Sequence, residues 1–148
     1  MRVQLISANT EQINMPVLPV GLASVAAAAE SCGHEVHFLN LMVREDCLSA
    51  VESAVSCSQP EVIGVSVRNI DDQNMQSPKF LLDPVKDVVN ACRKLSTAPI
   101  VLGGAGFSLF PRSTLACLGA DMGIRGEGEE AFVTLLAAIS KKSSLVHV

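Results

Sequence analysis

Two glycine-bearing segments near the C-terminal end of the chain have the residue types of a ligand-binding edge. One is Pro99–Gly106 (PIVLGGAG) and the other is Asp121–Glu129 (DMGIRGEGE). In each, a short apolar run that predicts a buried strand stops at glycines and leads into a predicted helix. Glycines let the backbone approach a ligand closely, and open α/β sheets bind ligands at the carboxyl ends of their strands. The two segments therefore predict a binding edge for a large ligand.

The rest of the chain supplies the elements that must position these segments. A β-α alternation repeats five times, which predicts a parallel sheet covered by helices on both faces. Units of this size fit one three-layer α/β/α domain over residues 1–140, with a doubly wound, flavodoxin-like sheet of strand order 2-1-3-4-5. The tail 141–148 is expected to be a linker. The strands are predicted at 2–7, 35–39, 61–67, 100–102 and 121–124, and the helices at 19–32, 46–57, 83–95, 111–118 and 128–140.

Composition limits the classes of function. Hydrophobic residues make up 49% of the 148 residues and charged residues 18%, which predicts a large aliphatic core. The net charge of −4 and the lack of a Lys/Arg run argue against a nucleic-acid partner. The longest apolar stretch, 17–29, contains Pro and Gly and is too short to span a bilayer. Because the chain starts directly in a strand with no signal peptide, a cytoplasmic protein is expected.

The five cysteines are widely spaced and form no C-x-x-C or Cys/His zinc pattern. We therefore expect reduced, mostly buried thiols and no metal site. The cysteines are at positions 32, 47, 57, 92 and 117.

Four common functions of this fold lack their motifs. No G-x-G-x-x-G dinucleotide motif follows the first strand, and no Ser/Thr/Gly-rich phosphate loop is found there. The acidic residues of a phospho-receiver domain are missing, and a nucleophile elbow would need glycine where Arg68 stands. The loops 8–18, 69–78 and 104–110 follow strands one, three and four and are unusually apolar. They are expected to cover a large ligand or a second domain.

Five short segments of the chain form a recognisable set: Pro19–Ala23, Gly33–Val36, Ile63–Ser66, Val101–Gly104 and Arg125–Glu129. Together they resemble the N-terminal cobalamin-binding domain of class B radical SAM enzymes. The resemblance covers nearly the whole chain, and the order and spacing of the segments carry it. It implies a domain that holds and orients cobalamin.

The chain departs from the cobalamin domains of mutases and methionine synthase in one respect. Those domains have D-x-H-x-x-G after the first strand, and its histidine ligates cobalt, whereas the corresponding loop here contains no histidine. His34 precedes the second strand, His37 lies within it, and His147 is in the tail. The resemblance therefore implies base-off cobalamin whose cobalt has no protein histidine ligand, as in many radical SAM relatives.

The resemblance gives Ser66 and Arg68 two possible roles each. Ser66 would hydrogen-bond the displaced dimethylbenzimidazole tail, or it only fills a strand end. Arg68 would lie near the α-face of the corrin, where a cation disfavours a further axial donor, or on the nucleotide phosphate. The alternative for Arg68 is a surface ion pair of little energetic value. Its candidate partners are Asp71, Asp72 and Glu127.

The glycines of the two segments would border the nucleotide tail, or they form tight turns with no ligand. The amides that start the last helix would receive a ribose hydroxyl or a phosphate. The predicted cofactor contacts are Asn9, Asn14, Met15, Ser66, Arg68, Asn69, Gly103, Gly104, Ala105, Gly106, Phe107, Gly126, Glu127 and Gly128. No residue of this chain is predicted to be catalytic.

Catalysis in the resembled family depends on a 4Fe–4S cluster bound by C-x-x-x-C-x-x-C, and this motif is missing here. We therefore expect a longer enzyme in which a C-terminal radical SAM domain holds the cluster and S-adenosylmethionine. By resemblance, that enzyme transfers a methyl group to an unreactive carbon or phosphorus centre, or performs a related radical reaction, and the present piece alone is not catalytic. Two alternatives stay open at this point: a cobalamin-free docking domain, and a stand-alone flavodoxin-like nucleotide binder.

Overall fold

Five parallel strands form one sheet: β1 (Arg2–Ser7), β2 (Glu35–Asn40), β3 (Val62–Ser66), β4 (Ile100–Gly103) and β5 (Met122–Gly123). The computed structural model describes residues 1–11, 17–72 and 74–141. The strand order is β2-β1-β3-β4-β5, which confirms the predicted topology. Because β1 lies between β2 and β3, the direction in which successive strands are added changes between β1 and β3. Ligands of such sheets bind beside this point.

The helices cover both faces of the sheet, as predicted. They are α1 (Val20–Ser31), α2 (Cys47–Ser58), α3 (Leu82–Leu95), α4 (Ala105–Leu109), α5 (Pro111–Leu118) and α6 (Glu129–Ser140), with a short 3₁₀ turn at Leu41–Val43. One apolar core lies between the sheet and helices α1 and α6. The other lies between the sheet and helices α2, α3 and α5. We call the first of these sides the α1/α6 face.

The alternation of side chains along β3 supplies both cores. Val62 packs into the core of the α1/α6 face, whereas Ile63 and Val65 pack into the opposite core. A strand that is buried on both faces has a continuous apolar sequence instead of an alternating one. This is why the run VIGV predicts a central strand.

The helix ends follow from local chemistry. The Asp46 carboxylate caps α2 by accepting the Ser49 N–H at 3.0 Å. Pro111 occupies the first turn of α5, and Gly119 ends that helix in the left-handed region at φ +67°. The sequence predicts a start of α3 at Asp83, but the helix begins one residue earlier, at Leu82, and Asp83 lies in its first turn. A carboxylate is also favourable there because of the helix dipole.

Strand β5 is shorter than the predicted strand 121–124, although hydrogen bonds to β4 extend to both ends of the predicted range. The Asp121 N–H donates to the Ile100 carbonyl at 3.1 Å, and the Ile124 N–H donates to the Leu102 carbonyl at 2.8 Å. The Asp121 carboxylate also accepts the Ile100 N–H at 2.7 Å and pairs with Arg93 at 2.6 Å. These contacts fix the edge of the sheet from which the second glycine segment begins.

The prediction of mostly buried cysteines is wrong. Cys32, Cys57 and Cys117 are exposed, Cys47 is half-buried, and Cys92 is buried. The exposed three lie on helix faces or ends where no second layer covers them, which a count of cysteines and their spacing does not reveal. In the described parts of the chain, no helix is long and apolar enough to cross a membrane.

Candidate functional site

A groove of about 830 Å³ opens at the carboxyl edge of the sheet, on the α1/α6 face. Its floor contains three small residues that lie in register on neighbouring strands: Ser7 pairs with Ser66, and Ser66 pairs with Gly103. Residues in register on parallel strands project from the same face of the sheet. Because all three of these residues are small, they leave space above the end of the sheet. The sequence places small residues where larger ones would fill the groove.

One row further from the edge, the groove becomes an apolar slot. Gly64 and Val101 are in register there, and both line the groove. The ring of the buried Phe132 lies 3.6 Å from the position that a Gly64 Cβ would take, and Leu5 is closer still at 2.6 Å. The remaining walls of the slot come from Leu22 and Val25 of α1 and from Ile124.

The rim of the groove is polar and carries both signs of charge. Asn9, Arg68 and Asn69 lie at the ends of β1 and β3, and Glu127 and Glu129 lie at the start of α6. The side chain of Arg68 is exposed, and within the described residues no hydrogen bond or ion pair to it is found. The ion pairs found among these residues lie elsewhere, between His37 and Glu35 and between Arg93 and Asp121. The surface ion pair that is the alternative for Arg68 is thus not seen within the described residues, and the side chain is exposed at the rim of the groove.

The first glycine segment contains glycines with two different functions. At Gly103, a Cβ would have the carbonyl oxygen of Ile124 as its nearest neighbour, at 3.9 Å, so the groove there is open. At Gly104 and Gly106, a Cβ would meet backbone atoms of residues 67–69 at 2.6–3.1 Å, and at Gly104 also the Ser66 hydroxyl at 2.9 Å. The Val67 carbonyl accepts the N–H groups of Gly106 at 3.0 Å and Phe107 at 3.3 Å. These two glycines thus allow α4 to pack directly on the end of β3.

Ten of the predicted contacts come together at this groove, two do not, and two lie outside the described residues. Gly106 and Phe107 do not line it: Phe107 is 2% exposed and packs where a Cβ of Gly123 would be. Asn14 and Met15 lie outside the described residues, as do the linker positions 142–148. The predicted residues that line the groove are Asn9, Ser66, Arg68, Asn69, Gly103, Gly104, Ala105, Gly126, Glu127 and Gly128.

The apolar half of the site was not predicted from the sequence. The slot residues Leu22, Val25 and Phe132 are core-type side chains on helices, and their spacing alone does not distinguish a wall of a groove from packed core. A signal existed for Ser7, since it is a polar residue at the end of a buried strand and stands beside Ser66 in the sheet. The missed residues at the groove also include Ser108 of α4.

The two described histidines lie away from the groove. His34 Nδ1 is 3.4 Å from the amino group of Met1, and burial, together with that positive charge, lowers the pKa of His34. His37 Nε2 is 3.0 Å from a carboxylate oxygen of Glu35 on the outer strand β2. His147 is outside the described residues. Among the residues described, no group of three or more His, Cys, Asp or Glu could hold a metal ion.

The family model for the B12 binding domain matches residues 6–136 of this chain. The matched range includes every element that builds the groove, from the end of β1 to α6.

The chain is similar to a part of longer enzymes. A tryptophan 2-C-methyltransferase from Streptomyces laurentii is 31% identical over 143 residues, which are 95% of this chain and 24% of that enzyme. The chain therefore spans about a quarter of the length of this relative.

Solved structures show the same arrangement of elements. TsrM from Kitasatospora setae, a radical S-adenosylmethionine methyltransferase, superposes with a TM-score of 0.88 at 30% identity in its form with cobalamin and a 4Fe–4S cluster bound, over 96% of this chain and 25% of TsrM. Its form with tryptophan and aza-SAM gives a TM-score of 0.91 at 29% identity, over 97% and 27% of the two chains. The cobalamin-dependent radical enzyme OxsB, at 18% identity and a TM-score of 0.71, shares the fold over 97% of this chain and 19% of its own.

Proposed function

The chain belongs to the B12 binding domain family, and we propose that its groove holds cobalamin base-off, with no histidine of the protein on cobalt. In this arrangement the nucleotide tail leaves the metal and enters the slot between β3, β4, α1 and α6. The observation that carries the proposal is the groove at the carboxyl edge of the sheet. Its mouth is lined by small and polar residues, and its depth is lined by apolar ones.

The described residues fit this cofactor in shape and polarity. A flat aromatic base requires apolar walls, which Leu22, Val25 and Phe132 supply. Gly103 keeps the mouth of the slot open, since a side chain there would begin in free space above the sheet. The amide-rich corrin requires hydrogen-bonding groups at the rim, where Asn9 and Asn69 are placed.

The positions of the histidines support the proposal that no imidazole of the protein binds the cobalt. The loop after β1, where related domains carry their ligand, contains no histidine in residues 8–18. His34, which precedes β2, lies against the amino group of Met1, and His37, on β2, lies against the carboxylate of Glu35. The lower side of the corrin would then face the ends of β1 and β3, where the Arg68 guanidinium lies at the rim.

Each polar residue of the mouth has a distinct task in this proposal. The Ser66 hydroxyl stands beside Gly103 at the entrance of the slot, where it can donate to a ring nitrogen of the detached base. Arg68 supplies positive charge near the nucleotide phosphate or the lower face of the corrin. The acids Glu129 and Glu130 in the first turn of α6 disfavour a phosphate at that helix, so its free N–H groups and Glu127 suit the neutral ribose or amide groups better.

We further propose that this domain serves a radical SAM catalytic domain on the same polypeptide. The chain spans only about a quarter of the methyltransferases it matches, and large apolar side chains are exposed in the loops and adjoining helix ends of the carboxyl edge. A second domain that covers this edge would bury them and exclude water from the cofactor. The exposed side chains are those of Leu18, Val20, Met75, Phe80, Leu109 and Phe110.

The activity proposed for the whole protein is methyl transfer through cobalamin to an unreactive carbon centre, with S-adenosylmethionine and a 4Fe–4S cluster in the catalytic domain. Cobalamin supplies the chemistry, because its cobalt can carry a methyl group. The residues of this chain bind it, orient it and leave its upper face open to the second domain. Recognition of the methylated substrate belongs to the catalytic domain.

The direct test is to load the chain with hydroxocobalamin, remove free cofactor by desalting and measure the corrin absorbance that stays with the protein. We expect a ratio close to equimolar. After reduction to the Co(II) form, electron paramagnetic resonance should show no coupling to an axial nitrogen.

Two controls separate the parts of this proposal. If the spectrum of the unlabelled protein shows coupling of cobalt to an axial nitrogen, the measurement is repeated with ¹⁵N-labelled histidine. Coupling that changes on this labelling would contradict a cobalt without a histidine ligand. Coupling that histidine labelling leaves unchanged would show that the tail is still on cobalt and would contradict base-off binding. The variant His34→Ala is expected to have the spectrum of the original chain.

A further inference from the structure

Ser108 connects the two glycine segments that border the groove. Its hydroxyl donates to the carbonyl oxygen of Gly104 at 2.9 Å and accepts the N–H of Gly126 at 2.9 Å. Gly104 and Gly126 both have positive φ values, +99° and +86°, and both line the groove. One side chain thus fixes two turns that glycine conformations make possible.

The two ends of this connection differ in how firmly the rest of the protein holds them. The α4 side is anchored, because the Val67 carbonyl accepts two N–H groups of α4 and Phe107 is buried beneath it. The segment 125–127 has no comparable support. Within the described parts of the chain, the bond from Gly126 to Ser108 is the only hydrogen bond found for these three residues.

We infer that Ser108 is a positioning residue for the cofactor: its hydroxyl holds the turn 125–127 against α4 and so sets the width of the groove between Gly104 and Gly126. This inference rests on the proposed placement of cobalamin in this groove. The hydroxyl has one proton, which it gives to Gly104, and its lone pairs face Gly126, so no donor is left over for a ligand. Its effect on the cofactor therefore passes through the position of the turn.

The backbone geometry explains why a side chain is required here. The turn has a φ of +86° at Gly126, and within the described residues the N–H of this exposed glycine has no backbone acceptor, so the Ser108 hydroxyl is its partner. The turn precedes α6, whose first residues Gly128 and Glu129 line the groove. If the turn moved, Glu127 and the start of α6 would move with it. Ser108 is half-buried at the groove wall, the position from which it can reach both turns.

The test compares Ser108→Ala and Ser108→Thr in this chain, with Ser113→Ala on the exposed face of α5 as the matched control. Dissociation of hydroxocobalamin is followed by absorbance after addition of a competing binder. We expect Ser108→Ala to release cobalamin about threefold to tenfold faster, as loss of one neutral hydrogen bond implies. Ser108→Thr keeps the hydroxyl and should restore most of the difference, while Ser113→Ala should match the original chain.

A second measurement reports the turn itself. Hydrogen exchange of the Gly126 amide, followed by ¹⁵N nuclear magnetic resonance without cofactor, should be about threefold to tenfold faster in Ser108→Ala, with exchange in β1 and β3 unchanged. Faster cobalamin release with unchanged Gly126 exchange would overturn the inference, and so would unchanged release. If the original chain itself fails to retain cobalamin, the proposed function fails and this inference fails with it.

Discussion

The carbonyl oxygen of Val67 occupies the space where a side chain on Gly104 would begin, 2.6 Å from the position of its Cβ. Gly104 also has a φ of +99°, which an L side chain rarely adopts. The neighbouring Gly103 has neither constraint, since its nearest atom beyond its chain neighbours would be 3.9 Å away. Adjacent glycines therefore have different purposes: Gly103 keeps the groove open, and Gly104 allows α4 to pack on β3.

Gly103→Val is expected to fold normally and to bind cobalamin at least about tenfold more weakly. A branched side chain suits the end of a strand, but here it would project over Ser66 into the mouth of the groove. A loss of tenfold corresponds to about 1.4 kcal/mol of binding free energy. Titration with hydroxocobalamin measures the affinity, and thermal unfolding of the chain without cofactor checks the fold. Unchanged affinity would show that the cofactor does not pass over Gly103.

Gly104→Ala should instead destabilise the fold. We expect it to lower the free energy of unfolding by about 2 kcal/mol. The added methyl group meets the backbone carbonyl of Val67, which cannot move aside as a flexible side chain could. Urea unfolding without cofactor measures the change. A variant as stable as the original chain would contradict this account of the glycine.

Arg68→Ala is expected to reduce cobalamin affinity about fivefold at low salt, as for one partly solvated charge contact. The guanidinium makes no hydrogen bond or ion pair with the described residues, so its removal breaks no such bond among them. If it faces the phosphate, added salt should weaken binding to the original chain more than to the variant. Arg112→Ala, an exposed arginine on α5, is the matched control. Equal affinities of Arg68→Ala and the original chain would place the guanidinium outside the site.

The fold could be predicted because its signals are local. The run VIGV of β3 is apolar throughout, as in a strand covered on both faces. Pro111 marks the start of α5 by its fixed φ, and Gly119 marks the end because glycine readily adopts a positive φ. The order of strands then follows from the repeated β-α unit, and the position of the ligand edge follows from the order of strands.

The slot could not be predicted because it depends on which helices share a face of the sheet. Phe132 and Val25 become neighbours only when α1 and α6 pack side by side. Phe107 shows the reverse error: an aromatic residue after a glycine-rich strand end resembles a ligand contact, yet the short helix α4 turns it into the core over Gly123. Short helices of this kind have too few residues for a periodic pattern.

The cysteines should differ sharply in reactivity. Burial raises the pKa of Cys92 to about 11, so near neutral pH its thiolate is scarce as well as inaccessible. Burial and the Asp46 carboxylate also raise the pKa of Cys47. With a maleimide reagent, mass spectrometry should find Cys117 and the other exposed cysteines modified first, Cys47 more slowly, and Cys92 only after unfolding. Modification of Cys92 in the folded chain at the rate of Cys117 would contradict its burial.

The loop that follows β3 should loosen in acid. The Asp72 carboxylate accepts the N–H of Lys79 at 3.0 Å and of Asn74 at 3.1 Å, and these bonds, the Lys79 one first, lower the pKa of Asp72. A lowered pKa in the folded state means that the stabilisation is complete above the ordinary Asp range and is lost as the pH falls through the folded value.

The amide proton shift of Lys79, followed by nuclear magnetic resonance, should titrate with a midpoint below the ordinary Asp value of 3.8. Asp72→Asn keeps an acceptor oxygen but cannot ionise, so the titration of Lys79 should disappear while the loop stays closed by the bridge between Asp71 and Phe80. A midpoint at or above the ordinary value would contradict the bonds to the carboxylate. Because this loop carries the exposed Met75 and Phe80, its acid loosening would also weaken docking of the proposed catalytic domain on the carboxyl edge.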